Sequence, residues 1–187
     1  MVQMAEFYLP DHYEFSVGKI ESGWSDDNSN YNIQIIKLKN SNEEKEVTLA
    51  TLGMSDYLLN LPDGRQLRQE LIISMYDDYD NEDIAKSILS ISESACCNGK
   101  ALIRGQVLTD SIAVTPGFRL NSLYVTNPSP LGDKILSHGQ SDLVFAYLIP
   151  IAAEEARLIE SKGWRYFEDQ LEDGNIDIFD LKRDLVI

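Results

Sequence analysis

Apolar and polar positions along this chain follow two rhythms, and the change from one to the other marks out its elements. Residues 32–39 and 46–52 are rich in β-branched and aliphatic side chains and are separated by the polar run Asn40-Ser41-Asn42-Glu43-Glu44-Lys45, which predicts two strands of a hairpin. Leu61-Pro62-Asp63-Gly64 is a turn signal. Beyond it residues 67–76 predict a third strand, with Leu67, Leu71, Ile73 and Met75 on one face. The period then lengthens. Ile84, Ile88, Ile91 and Ala95 recur at helical spacing, so a helix is expected, capped by Asp80 or Asn81 and stopped by Asn98-Gly99. Further strands are expected at 101–108, 118–126 and 142–149, separated by Thr115-Pro116-Gly117 and by the loop 127–132.

The stretch 142–173 is the most strongly patterned part of the chain. Leu143 to Ile149 are almost continuously apolar, which suits a strand covered on both faces, and Pro150 is expected to end it. Ala152, Ala156, Ile159 and Gly163 then fall on one helical stripe, leaving Glu154, Glu155, Arg157 and Glu160 for solvent. Gly163 closes that helix, and Trp164, Phe167 and Leu171 give a second helix one stripe to pack back on the strand. Residues 176–187 are expected to add an edge strand with Asp177, Asp180 and Arg183 outward. At the other end, residues 1–16 carry Phe7, Tyr8, Tyr13 and Phe15 as an aromatic arm on the core, and residues 18–31 read as a loop pinned by Trp24. The sum is one domain, residues 1–187, of α+β class: helices packed on a mixed, largely antiparallel sheet.

Charge changes this picture more than composition does. Among 187 residues, 31 acids face 16 bases, for a net charge of −15. That balance disfavours nucleic acid and anionic membranes, both of which need clustered Lys and Arg, and favours a basic protein partner. Cys96 and Cys97 are neighbours on a predicted helix, where a mutual disulfide would be strained, so they read as small apolar fillers of a reduced protein. Neither a leader pattern nor an apolar run of about 20 residues is evident, and a cytoplasmic location is expected.

The search for chemistry is mostly negative. No nucleophile elbow, phosphate loop, Cys-x-x-Cys or His-Glu-x-x-His occurs, His12 and His138 stand alone, and neither a cofactor nor a metal is expected. The acidic run 77–83 fails as a calcium loop. Counted from Asp78, Asp83 stands where the sixth-position glycine belongs and Leu89 where the twelfth-position glutamate belongs. Asp77, Asp78, Asp80, Glu82 and Asp83 around Tyr79 instead read as a partner contact with Tyr79 as its aromatic anchor, joined by Asp26 and Asp27 if folding brings the two loops together. Glu154 with Glu155, and Glu168 with Asp169, are expected on solvated helix faces rather than as acid–base pairs.

Two stretches carry a family likeness. One is the apolar strand running into Ile149-Pro150-Ile151, followed by a Glu-rich helix, Gly163 and a second short helix. The other is Thr51-Leu52-Gly53-Met54-Ser55-Asp56, followed after a loop by Glu70-Leu71-Ile72-Ile73-Ser74-Met75. In this order they span most of residues 45–187, and the chain resembles the suppressor of fused domain family, with Thr51, Gly53, Ser55, Asp56, Pro150 and Gly163 as motif positions. The resemblance implies a non-enzymatic protein-binding module. Small bacterial relatives look like immunity proteins that neutralise secreted toxins, often nucleases, so an antitoxin acting on a basic toxin is expected. The competing readings are a housekeeping adaptor and a hydrolase built around Ser55, Asp56 and His138.

Overall fold

Alternate side chains of the strands point into two different cores, and that is why the strands read as apolar on both faces. The computed structural model describes residues 19–39, 45–79, 81–112, 119–128 and 143–187. Its strands are β1 (Lys19–Ser25), β2 (Gln34–Lys39), β3 (Glu46–Leu52), β4 (Leu59–Asn60), β5 (Gln66–Tyr76), β6 (Val107–Leu108), β7 (Leu120–Thr126) and β8 (Leu143–Ala152). Its helices are α1 (Asn81–Asn98), α2 (Ala153–Lys162) and α3 (Trp164–Asp173). The eight strands form one sheet in the order β1-β2-β3-β5-β8-β7-β6, with β4 paired to β5. Every pairing is antiparallel except β5 with β8.

Ile35, Val47, Leu49, Leu71, Ile73, Met75 and Leu148 face one core together with Ile84, Ile88 and Ala95 of α1. Their neighbours Ile36, Ala50, Ile72, Tyr147, Ile149 and Ile151 face the other, closed by Ile159, Phe167 and Leu171 of α2 and α3. A period of two on the strands and of 3.6 on the helices is all this arrangement requires, and the sequence supplies both. The helix stripes are therefore where the pattern predicts them, as are the hairpin of β2 and β3 and the α+β class.

Four expectations need correction. Residues 19–25 form a strand, not loop, because edge pairing with β2 overrides the turn-forming Ser22 and Gly23. Of residues 101–108 only Val107 and Leu108 are strand: the amides of Ala101 and Leu102 donate to the Asn60 carbonyl and the Gln69 side chain, and Gly105 turns the chain at φ +92°. Pro150 does not end β8, which runs on to Ala152. Pairing with β5 stops at Tyr147, and the Pro150 carbonyl points away from β7 to accept from Arg183 at 3.0 Å. Since N and C=O of one strand residue face the same side, the missing N–H costs no ladder bond. Residues 176–187 form turns and coil rather than an edge strand, held by side chains described below.

Candidate partner-binding surface

The acidic run after β5 folds differently from its sequence reading. Asp77 accepts from Lys37 at 2.6 Å and lies 3.9 Å from Lys39, while Glu82 and Asp83 both meet Lys86, at 2.8 and 3.5 Å. Tyr79 is not a presented anchor. It is 7% exposed, belongs to the α1 core, and donates its hydroxyl to Asp180 at 2.5 Å. Burial and that bond push its phenol well above the ordinary range. Tyr76 likewise donates to Asp177 at 2.6 Å and is pushed up to about 12, chiefly by that bond. This end of the sheet thus gains two carboxylates from residues a hundred positions on, which local sequence could not show. Asp80 lies outside the described residues. Asp26 and Asp27 do not join it, because β1 and β2 carry them to the far end of the sheet, about 17 Å away by strand rise.

The motif Thr51 to Ser55 builds a cradle around one buried carboxylate. Glu70 of β5 is 0% exposed. It accepts the Thr51 hydroxyl at 2.5 Å and the amides of Gly53 and Ser55 at 3.1 and 3.0 Å. Gly53 has φ +101°, and a Cβ there would lie 2.3 Å from the Asn32 carbonyl oxygen, so both conformation and space require glycine. Burial raises the Glu70 carboxyl, against the pull of these hydrogen bonds. Asp56, by contrast, is exposed and stands outside the cradle. His138 lies outside the described residues.

Two glutamates expected on solvated helix faces are buried or engaged instead. Glu155 is 0% exposed and takes both arms of Arg183, at 2.7 and 3.0 Å, together with the amides of Ala152 and Val186. It thereby ties the start of α2 to the carboxyl-terminal segment, and Arg183 points inward, not outward. Glu168 on α3 accepts from Tyr124 and Thr126, each at 2.7 Å, and from Arg104, whose guanidinium stacks 4.5 Å over the Trp164 ring. Gly105 lies against that ring: a Cβ there would come within 2.6 Å of it.

Burial alone would raise the Glu168 carboxyl, but hydrogen bonds from Arg104, Tyr124 and Thr126 outweigh it and hold the group below its ordinary 4.5. A lowered folded value means that the stabilisation is present above about pH 4.5 and is lost as pH falls through the folded value. Glu168→Gln is therefore expected to flatten the fall of the urea midpoint between pH 5 and pH 3. An unchanged slope would refute the assignment.

Among the described residues no group of three or more His, Cys, Asp or Glu side chains could hold a metal ion, and no helix is long and apolar enough to cross a membrane. Residues 29–184 match the family model described as suppressor of fused protein. Immunity protein YqcF of Bacillus subtilis (strain 168) is 26% identical over 174 residues, covering 90% of this chain and 88% of that protein. A putative suppressor of fused homolog from Neisseria gonorrhoeae FA 1090 superposes with a TM-score of 0.65 at 13% identity, over 83% of this chain and 78% of that one. The suppressor of fused protein–Fu complex gives 0.58 at 13% identity, over 82% and 75%. These two structural likenesses bear on fold alone.

Proposed function

The chain belongs to the suppressor of fused protein family, and from that premise we propose that it is an immunity protein, a non-enzymatic cytoplasmic module that neutralises a cognate toxin by binding it. The observation that carries this reading is the similarity to an immunity protein along nine-tenths of the chain. A net charge of −15 adds the chemistry of the partner, a basic toxin of the kind that holds phosphates, such as a nuclease. The acids offered to it are Asp26, Asp27, Asp77, Asp78, Glu82 and Asp83, each wholly or partly accessible. Tyr79 is withdrawn from that set by its burial.

The test is to co-express the chain with the product of the adjacent reading frame, and to ask whether it restores growth and co-purifies. Association is expected to be steered, approaching roughly 10⁸ M⁻¹s⁻¹ at low salt and falling steeply as salt is added. A toxic product that the chain neither binds nor neutralises would overturn the proposal.

A further inference from the structure

The molecule has two acidic ends, and among the described residues the lysine ion pairs lie at only one of them. Around β5 and α1, Asp77 meets Lys37 and Lys39, and Lys86 meets Glu82 and Asp83. At the opposite end Asp26, Asp27, Asp56 and Glu93 have no ion pair with any cation among the described residues. The guanidinium of Arg68, which reaches this end, is turned to the Ser55 carbonyl at 2.6 Å. Paired charges cancel at short range, so a cationic surface is drawn chiefly by the unpaired set.

Apolar surface lies among those unpaired acids. Tyr31 and Tyr57 pack edge to face with their rings 5.3 Å apart, and both are half-buried. Leu59 of β4 points into the core at 0% exposure, whereas Leu58, just before the strand, is 48% exposed. The surrounding backbone is fixed rather than loose. Asp26 accepts the Asn28 amide at 2.9 Å, the Ser29 hydroxyl bonds Glu93 on α1, the Tyr31 amide donates to Ser29 at 3.0 Å, and the Asn32 amide donates to the Tyr57 hydroxyl at 3.3 Å. Two tyrosines and an exposed leucine inside a charged rim have the anatomy of an interface centre, and a rim already ordered loses little entropy on docking.

We propose that this end, centred on Tyr31, Tyr57 and Leu58 and rimmed by Asp26, Asp27, Asp56 and Glu93, is the docking face for a basic protein surface that presents an apolar side chain between lysines or arginines. It rests on the immunity reading for the partner's biological role, but its chemistry is testable separately. The probe is a capped Lys-Lys-Trp-Lys-Lys peptide titrated into the isotopically labelled chain. Amide shifts are expected to centre on residues 26–32, 55–58 and 93–97. They should weaken about tenfold on Asp26→Lys with Asp27→Lys, disappear on Leu58→Asp, and persist on Glu160→Lys, an exposed acid of α2, all in variants whose spectra stay dispersed. Shifts that centre on residues 77–83, spread evenly over the acids, or fail to appear overturn the assignment. A toxin neutralised equally by wild type and by Leu58→Asp removes this face and leaves the immunity reading standing. Peptide mapping here with no toxin neutralised does the reverse.

Discussion

Arg183→Ala is expected to destabilise the protein by about 3 to 5 kcal/mol, the usual cost of breaking a buried ion pair from one side. The Arg183 and Glu155 side chains are 2% and 0% exposed, so neither charge can be rescued by water once its partner is gone. Removing the guanidinium leaves the Glu155 carboxylate buried with only the Ala152 and Val186 amides, and it also frees the Pro150 and Asp184 carbonyls. Since whole-domain stabilities are about 5 to 15 kcal/mol, such a loss consumes a large share. The mechanism predicts non-additivity as well. Glu155→Ala and Arg183→Ala together should cost less than the sum of the two, because the double variant strands no charge. Arg183→Lys should fall between, keeping the charge but losing the two-armed geometry. Urea unfolding of the four variants gives the cycle; an Arg183→Ala midpoint equal to wild type would show that the pair does not hold the carboxyl-terminal segment down.

This pair also shows where reading a sequence stops. Periodicity located β2, β3, β5, β7, β8 and all three helices, because burial on a sheet or helix face is a local property repeated along the chain. Glu154 and Glu155 look alike in sequence, since helical spacing alone gives them both to solvent. What separates them is Arg183, brought in from 28 positions away by a segment without regular structure. The same limit applies to Tyr79: its neighbours in sequence are acids, but Asp180 supplies its hydroxyl's partner from 101 positions on. Glu70 was more accessible. A glutamate that opens the run Glu70-Leu71-Ile72-Ile73 on a strand buried on both faces must be either paired or hydrogen-bonded, and that principle alone could have singled it out before its cradle was seen. Pro150 misleads for a subtler reason. Proline stops strands whose N–H is needed, and only the register of β8 shows that this one is not.

The acidic surface teaches a related lesson. Counting acids along the chain favours residues 77–83, where they are densest, yet folding places Lys37, Lys39 and Lys86 among them. Asp26, Asp27 and Asp56 are fewer and scattered in sequence but form no ion pair among the described residues. Ion pairing engages Asp77, Glu82 and Asp83 at short range, so the less conspicuous set offers carboxylates that a partner's cations need not win from a lysine.

Glu70→Ala is expected to cost about 3 to 5 kcal/mol, because it removes the acceptor shared by Thr51, Gly53 and Ser55, and each orphaned buried donor costs about 1 to 3 kcal/mol before relaxation. The Thr51 hydroxyl and the Gly53 and Ser55 amides would all lose their partner, and with them the hold on the turn Met54–Asp56. Glu70→Gln should cost less. Its carbonyl oxygen can still take both amides, while its NH₂ faces a Thr51 oxygen that already accepts from the Leu71 amide at 2.8 Å. The pH dependence separates this account from a simple packing defect. Burial raises the Glu70 carboxyl above its ordinary 4.5, so its linked stabilisation is fully present below about pH 4.5 and is lost as pH rises through the folded value. Wild type gains this contribution on acidification and Glu70→Gln cannot. The difference in stability between the two should therefore widen from pH 7 to pH 4.5, even while Glu168 and Asp180, held low by their partners, act in the opposite direction in both proteins. Urea midpoints measured on wild type, Glu70→Gln and Glu70→Ala at the two pH values decide it: a gap that stays constant or narrows would mean that burial does not raise the Glu70 carboxyl.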